Sequence, residues 1–257
     1  MRTLAIWTSF CTILRREVRR FMRIWPQTLV PPVITMSLYF VIFGSLIGRR
    51  IGEMGGFSYM EFVVPGLIMM AVITNSYSNV ASSFYSAKFQ RNVEELLVSP
   101  TPNWVIMAGY VLGGVSRGLI VGCVVTLIAL SFTNLQVQHL GLTIAIVFLA
   151  AILFSLAGFI NAMFANSFDD ISIIPTFVLT PLTYLGGVFY SIDMLSPFWQ
   201  GLSKLNPVLY MVNAFRYGVL GVSDINVAWA FAGVSACIAG VFAWGLHLMR
   251  HGRRLRN

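Results

Sequence analysis

Charge is what this sequence has least of. Only 10% of its 257 residues are Asp, Glu, Lys or Arg, where a soluble domain carries about 25%. A chain of this length could bury a large soluble core, but too few charges remain to solvate its surface. The few charges are also clustered. Residues 24–48, 62–87, 96–116, 118–168, 171–192 and 225–249 contain none. A membrane crossing needs roughly 20 apolar residues. Each of these stretches is long enough, and 118–168 can contribute to two crossings.

Lysine is scarcer still, with only Lys88 after Ala87 and Lys204 after Ser203. A Walker A loop needs Gly-Lys-Ser/Thr to cradle phosphates, so this chain cannot hold ATP that way. The three histidines form no metal-ligand pair at helical spacing. No serine stands in a Gly-x-Ser-x-Gly elbow. Cys11, Cys123 and Cys237 make neither a disulfide framework nor a metal spacing, and read as small packing residues. These absences exclude the common enzyme classes. No catalytic residue, bound cofactor or metal is expected on this chain.

What is present is hydrophobic length with basic ends. The apolar stretches place six spans at about 27–47, 60–85, 104–131, 142–164, 171–190 and 228–249. Residues 27–47 exceed a signal-peptide core, and no small-x-small site follows, so an uncleaved first span is expected. Trp25, Trp104 and Trp229 stand at span entrances, where interfacial anchors belong. With the amino end inside, twelve Lys and Arg fall in cytoplasmic segments and four in outer ones; Arg117 falls within a span. That bias puts both termini in the cytoplasm. The formal charge of +8 comes largely from arginines flanking the first and last spans, including Arg250, Arg253, Arg254 and Arg256. That pattern points to lipid headgroups rather than nucleic acid.

Residues 4–25 read as an amphipathic interfacial helix. Leu4, Trp7, Cys11, Leu14, Val18, Phe21, Met22 and Trp25 share one arc, and Arg15, Arg16, Arg19, Arg20 and Arg23 lie opposite. Pro26 is expected to end it and Pro31–Pro32 to open the next helix. Glycines four apart, at Gly109 and Gly113, Gly114 and Gly118, and Gly118 and Gly122, predict close helix packing by the third span. Pro175 and Pro181, with Gly186–Gly187, predict a bent or broken fifth span. The outer segment 191–227 is long yet rich in large apolar residues. It reads either as short helices dipping back into the outer leaflet or as a compact cap over the helix ends.

Between the second and third spans, Phe89, Val93, Leu96 and Leu97 recur at helical spacing, and Pro100 and Pro102 stop the helix. With Lys88, Arg91, Glu94 and Glu95 opposite, this helix suits either a groove on a soluble partner or the lipid surface. Arg117 either lines a cavity or dimer seam, or reaches the interface or a structural carbonyl. Glu61 reads as structural, and Asp169–Asp170 as a cap before the fifth span.

At these residues the chain resembles the type-2 ABC exporter permease family, over essentially its whole length. One stretch is Glu94-Glu95-Leu96-Leu97-Val98-Ser99-Pro100-Thr101-Pro102 followed by Gly109. The other runs Leu185-Gly186-Gly187-Val188-Phe189-Tyr190, then Leu205-Asn206-Pro207-Val208-Leu209-Tyr210, then Arg216. The resemblance implies an all-α integral membrane fold: six transmembrane helices, an N-terminal interfacial connecting helix, a cytoplasmic coupling helix within 86–103 and outer re-entrant helices within 191–227. It implies an inner-membrane dimer, most simply a homodimer, with two cytosolic ATPase subunits that carry the ATP and Mg. Docking would fall to Phe89, Arg91, Val93, Glu94, Glu95, Leu96 and Leu97, with Arg15, Arg16 and Arg19 of the leading helix. The cargo would be a hydrophobic or amphipathic compound such as a drug, lipid or lipid-linked glycan. Tyr77, Tyr85, Arg117, Tyr184 and Phe189 are candidates for its path. Gly186, Gly187, Asn206, Pro207, Tyr210 and Arg216 form the outer motif. The rival readings are an ion-driven secondary transporter, which would want paired ionisable groups at mid-membrane, and a non-transporting scaffold.

Overall fold

The computed structural model describes residues 2–251, so Arg253, Arg254 and Arg256 lie outside the described residues. Twelve α-helical segments follow one another in these residues: α1 (Arg2–Arg23), α2 (Trp25–Val41), α3 (Gly48–Ile51), α4 (Tyr59–Phe89), α5 (Asn92–Val98), α6 (Asn103–Ala129), α7 (Leu140–Phe164), α8 (Phe168–Ile174), α9 (Thr180–Tyr184), α10 (Pro197–Lys204), α11 (Pro207–Leu220) and α12 (Val227–His251). Widened π-turns at Ile42–Ile47 and Pro175–Leu179 join α2 to α3 and α8 to α9. The only strands among the described residues are β1 (Glu53–Met54) and β2 (Phe57–Ser58), an antiparallel pair. Gly55 and Gly56 turn that hairpin at φ of 61° and 82°. A two-residue hairpin needs positive φ at both positions, which glycine supplies without strain.

Among the described residues, five helices are long and apolar enough to cross a membrane: Trp25–Gly44, Tyr59–Phe89, Asn103–Ala129, Leu140–Phe164 and Val227–His251. The remaining expected span, the fifth at 171–190, is a broken run from 168 to 184, as its prolines predicted. Pro175 and Pro181 remove amide donors there, and the chain takes a π-turn between two short helices.

The first span differs from expectation in part. The leading helix does end near Pro26: α1 and α2 part at Ile24, and Pro26 sits in the first turn of α2, where no amide partner is required. Pro31 and Pro32 lie inside α2 rather than at its start. The buried Thr28 hydroxyl lies against the carbonyls of Phe21, Ile24 and Trp25 at 3.2–3.4 Å, which steadies the elbow between α1 and α2.

Helix α4 is the hub. It packs on α6, α7 and α11, and 83% of its most apolar window is buried within the chain. The corresponding windows of α2 and α12 are 17% and 11% buried, which leaves their apolar faces for lipid or another protein. Ser58 and Glu61 form a reciprocal capping box at the start of α4, so Glu61 is structural. The glycines of α6 serve two neighbours. A Cβ on Gly118 or Gly122 would strike Ser76 or Val72 of α4, whereas one on Gly109 or Gly113 would strike Ile13 or Glu17 of α1.

Helix α1 therefore has three faces rather than two. At 100° per residue, Ile13, Glu17 and Phe21 form one stripe, and all three are buried against the bundle. The next stripe holds Leu4, Trp7 and Met22, all exposed. The third holds Arg15, Arg19 and Arg23, also exposed.

Candidate functional site

On the side where α4 ends, the chain reverses at Arg91, whose φ of 61° is the one positive value at a non-glycine among the described residues. That turn sets α5 across the end of the bundle. Val93 is 1% exposed and anchors α5 inward, and Leu96 and Leu97 are half-buried against the core. Phe89, Arg91, Glu94 and Glu95 are exposed, as is Val98 at 88%. The outward face of this segment is thus Phe89, Arg91, Glu94, Glu95 and Val98, with Val93 as its root.

Neighbouring contacts fix this end. The Lys88 ammonium donates to the carbonyls of Met163 and Ala165, each at 2.9 Å, and closes the last turn of α7. Phe168 meets the rings of Tyr85 and Phe89 at 4.8 and 5.4 Å. Asp170 accepts from the amides of Asn166 and Ser167 at 2.8 and 3.2 Å and caps α8, as the sequence suggested.

A polar seam joins α1 to the spans. Asn75, Asn79 and Ser83 lie four residues apart on one face of α4, and each receives a charged group. Arg117 donates to Asn75 Oδ1 at 3.2 Å. Arg20 donates to both oxygens of Asn79, at 3.1 and 2.8 Å. Ser83 donates to the Glu17 carboxylate at 2.5 Å. Glu17 is 1% exposed, and its other neighbours are Arg20 at 3.4 Å and Arg16 at 3.5 Å. Arg16 also donates to the Tyr110 hydroxyl and lies over that ring at 5.3 Å. Arg117 is accordingly held by an asparagine on the neighbouring helix. The importance of Glu17 was not visible beside its five arginines. The one sequence signal was the Asn75, Asn79, Ser83 spacing in a charge-free span.

On the opposite side the outer motif converges. Asn206 caps α11 by accepting from the Val208 amide at 2.9 Å, and its own amide donates to Leu182 O at 2.6 Å. Pro207 occupies the first turn of α11, and the Tyr210 hydroxyl donates to Lys204 O at 2.8 Å. Arg216 is 1% exposed. It donates to Gly187 O at 2.7 Å and Phe62 O at 3.3 Å, and its guanidinium stands 3.7 Å from the Phe62 ring centre. Gly187 has φ of 70°, and a Cβ on Gly186 would strike Val208. One arginine therefore ties the loop after α9 to the start of α4.

The path candidates separate into two groups. Tyr77 and Tyr85 are buried within the bundle. Tyr184 is exposed and lies 5.6 Å from Phe189, which also meets Phe43 at 4.8 Å and Tyr39 at 6.4 Å. Tyr39 and Phe43 complete an aromatic cluster that sequence reading missed, because Phe189, in the loop after α9, reaches them only through tertiary packing.

Residues 8–220 match the ABC-2 type transporter family. The chain is 60% identical over 251 residues to the inner membrane transport permease YadH of Escherichia coli strain K12, covering 98% of each chain. It is 22% identical over 222 residues to nodulation protein J of Neorhizobium galegae, covering 85% of each. To nodulation protein J of Rhizobium meliloti it is 20% identical over 234 residues, covering 91% of this chain and 89% of that one.

Proposed function

The chain belongs to the ABC-2 type transporter family, and on that premise we propose that it is the membrane half of an ATP-driven exporter. Two copies of the chain would pair in the inner membrane and engage two cytosolic ATPase subunits, which carry the ATP and Mg. The broken run 168–184 would serve as the fifth of six crossings, and both termini would face the cytoplasm. Helices α10 and α11 would re-enter the outer leaflet, with Arg216 holding the turn between them and α4. The cargo would be hydrophobic or amphipathic, passing near Tyr184 and Phe189.

The observation that carries this reading is the placement of α5. Among the described residues nothing covers its outward Glu94, Glu95 and Val98, yet its root, Val93, is buried at the end of the most buried span. A push on that outward face passes into α4 with little loss, because a close-packed interior transmits displacement. The leading helix is bound to the same span through Ser83 and Asn79, so Arg15, Arg16 and Arg19 would lie beside the same docked subunit.

Co-purification with a candidate ABC ATPase subunit, then ATPase assays in nanodiscs, tests the reading. Glu94→Ala with Val98→Asp should abolish association while leaving the chain folded. Undiminished association would overturn the docking face.

A further inference from the structure

A groove of about 750 Å³ lies between α1 and the turn from α4 to α5. Its walls carry Arg15, Arg16, Arg19, Arg20 and Arg23 against a single acid, Glu17. Glu17 is already engaged by Ser83, Arg16 and Arg20. Arg15, Arg19 and Arg23 stand four apart on one face of α1 and meet no carboxylate among the described residues. Like charges at that spacing repel, and the repulsion grows where lipid and protein displace water. The far wall adds neutral polar groups, Ser86, Gln90 and Asn92, the last two flanking the left-handed Arg91. The groove is therefore an anion site by charge, and a roomy one.

We propose that it binds the phosphate of an anionic phospholipid headgroup from the cytoplasmic leaflet. Guanidinium forks match phosphate oxygens in pairs. The adjoining stripe of α1, Leu4, Trp7 and Met22, is exposed and apolar and is followed by exposed Trp25 at the start of α2, which sets the helix at the depth where headgroups lie. A bound headgroup bridges α1 to the turn that carries α5, and so ties the coupling segment to the leaflet. The groove shares Arg15, Arg16 and Arg19 with the proposed docking side, but lipid binding there requires neither the ATPase nor the cargo.

The test uses the full chain in detergent without any ATPase, with native mass spectrometry against phosphatidylethanolamine, phosphatidylglycerol and cardiolipin. Wild type should retain phosphatidylglycerol and cardiolipin over phosphatidylethanolamine. Arg19→Gln with Arg23→Gln should weaken that retention about tenfold, Arg19→Lys with Arg23→Lys should weaken it less, and Arg250→Gln should leave it unchanged. Millimolar inorganic phosphate or pyrophosphate should not displace the lipid. In parallel, phosphatidylglycerol with a photoreactive headgroup should label α1 and residues 90–92 of wild type, which needs no variant to fold. Equal retention of all three lipids, equal retention by the Gln pair, or labelling confined to other segments would overturn the proposal. Displacement by free phosphate would reassign the groove to a soluble anion and overturn the lipid assignment. Loss of ATPase association in the Gln pair with lipid retention intact would also overturn it, in favour of an acidic protein surface.

Discussion

Glu17 and Ser83, 66 residues apart, join the interfacial helix to the central span through one buried hydrogen bond. That bond is the centre of a seam in which Arg20 holds Asn79 and Arg16 holds Tyr110. Glu17→Ala removes the acceptor and strands two guanidiniums. Because the Arg16 and Arg20 side chains are 46% and 33% exposed, water relieves part of that cost. The expected loss is about 1–3 kcal/mol, read as a lower Tm in detergent with faster proteolysis at α1. Ser83→Ala should show a smaller loss of the same kind. An unchanged Tm with protected α1 would contradict the seam.

The same docking depends on missing side chains. A Cβ on Gly113 would stand 2.5 Å from Glu17 Cβ, whereas one on Gly240 meets nothing within 4 Å. Gly113→Ala should cost about 1–3 kcal/mol through overpacking. Gly240→Ala should be neutral or slightly stabilising through the better helix former. Thermal melts of the two variants side by side check this, and equal melts would contradict the close approach of α1 to α6.

Arg216 is expected to hold the outer loop. Arg216→Ala leaves the carbonyls of Gly187 and Phe62 without their buried donor, at roughly 2–5 kcal/mol. Arg216→Lys should recover part of that, since one ammonium can reach one carbonyl but lacks the planar fork and the stack on Phe62. Hydrogen exchange at residues 185–190 reports the loop directly. Protection unchanged in both variants would place the restraint elsewhere.

The six-crossing arrangement predicts sidedness. Val98 and Leu205 are both highly exposed. In a cysteine-free background, Val98→Cys should react with an impermeant maleimide only from the cytoplasm, and Leu205→Cys only from outside. Reaction of both from one side would mean that residues 168–184 do not cross.

Much of this was legible in the sequence. Charge-free stretches located the long helices, and Pro175 with Pro181 announced the break in the fifth. The outer motif and the α5 segment stood out by spacing and resemblance. What could not be read depends on which surfaces meet. Gly109 and Gly113 signalled a close neighbour, but only packing identifies that neighbour as the interfacial helix. That packing is also what buries Glu17, which in sequence looks like one solvated acid among arginines. Pro31 and Pro32 looked like a helix start. A proline disturbs only the preceding turn, and here that turn is the first of α2, where Thr28 lies against the neighbouring carbonyls. Tyr39 and Phe43 escaped notice because their partner, Phe189, is distant in sequence and meets them only in the packed fold.

The central claim is that α5 takes up the force of ATP hydrolysis on a separate subunit. The most direct measurement is the ATPase rate of the partner subunit reconstituted with this chain, compared between wild type and Val98→Asp. Val98 is 88% exposed while Val93 is 1% exposed, so Val98→Asp should leave the melt of the chain intact, whereas Val93→Asp should lower it. The account predicts that Val98→Asp, though folded, loses both association and the chain-dependent change in ATPase rate. A folded Val98→Asp chain that binds and regulates the ATPase like wild type would contradict it.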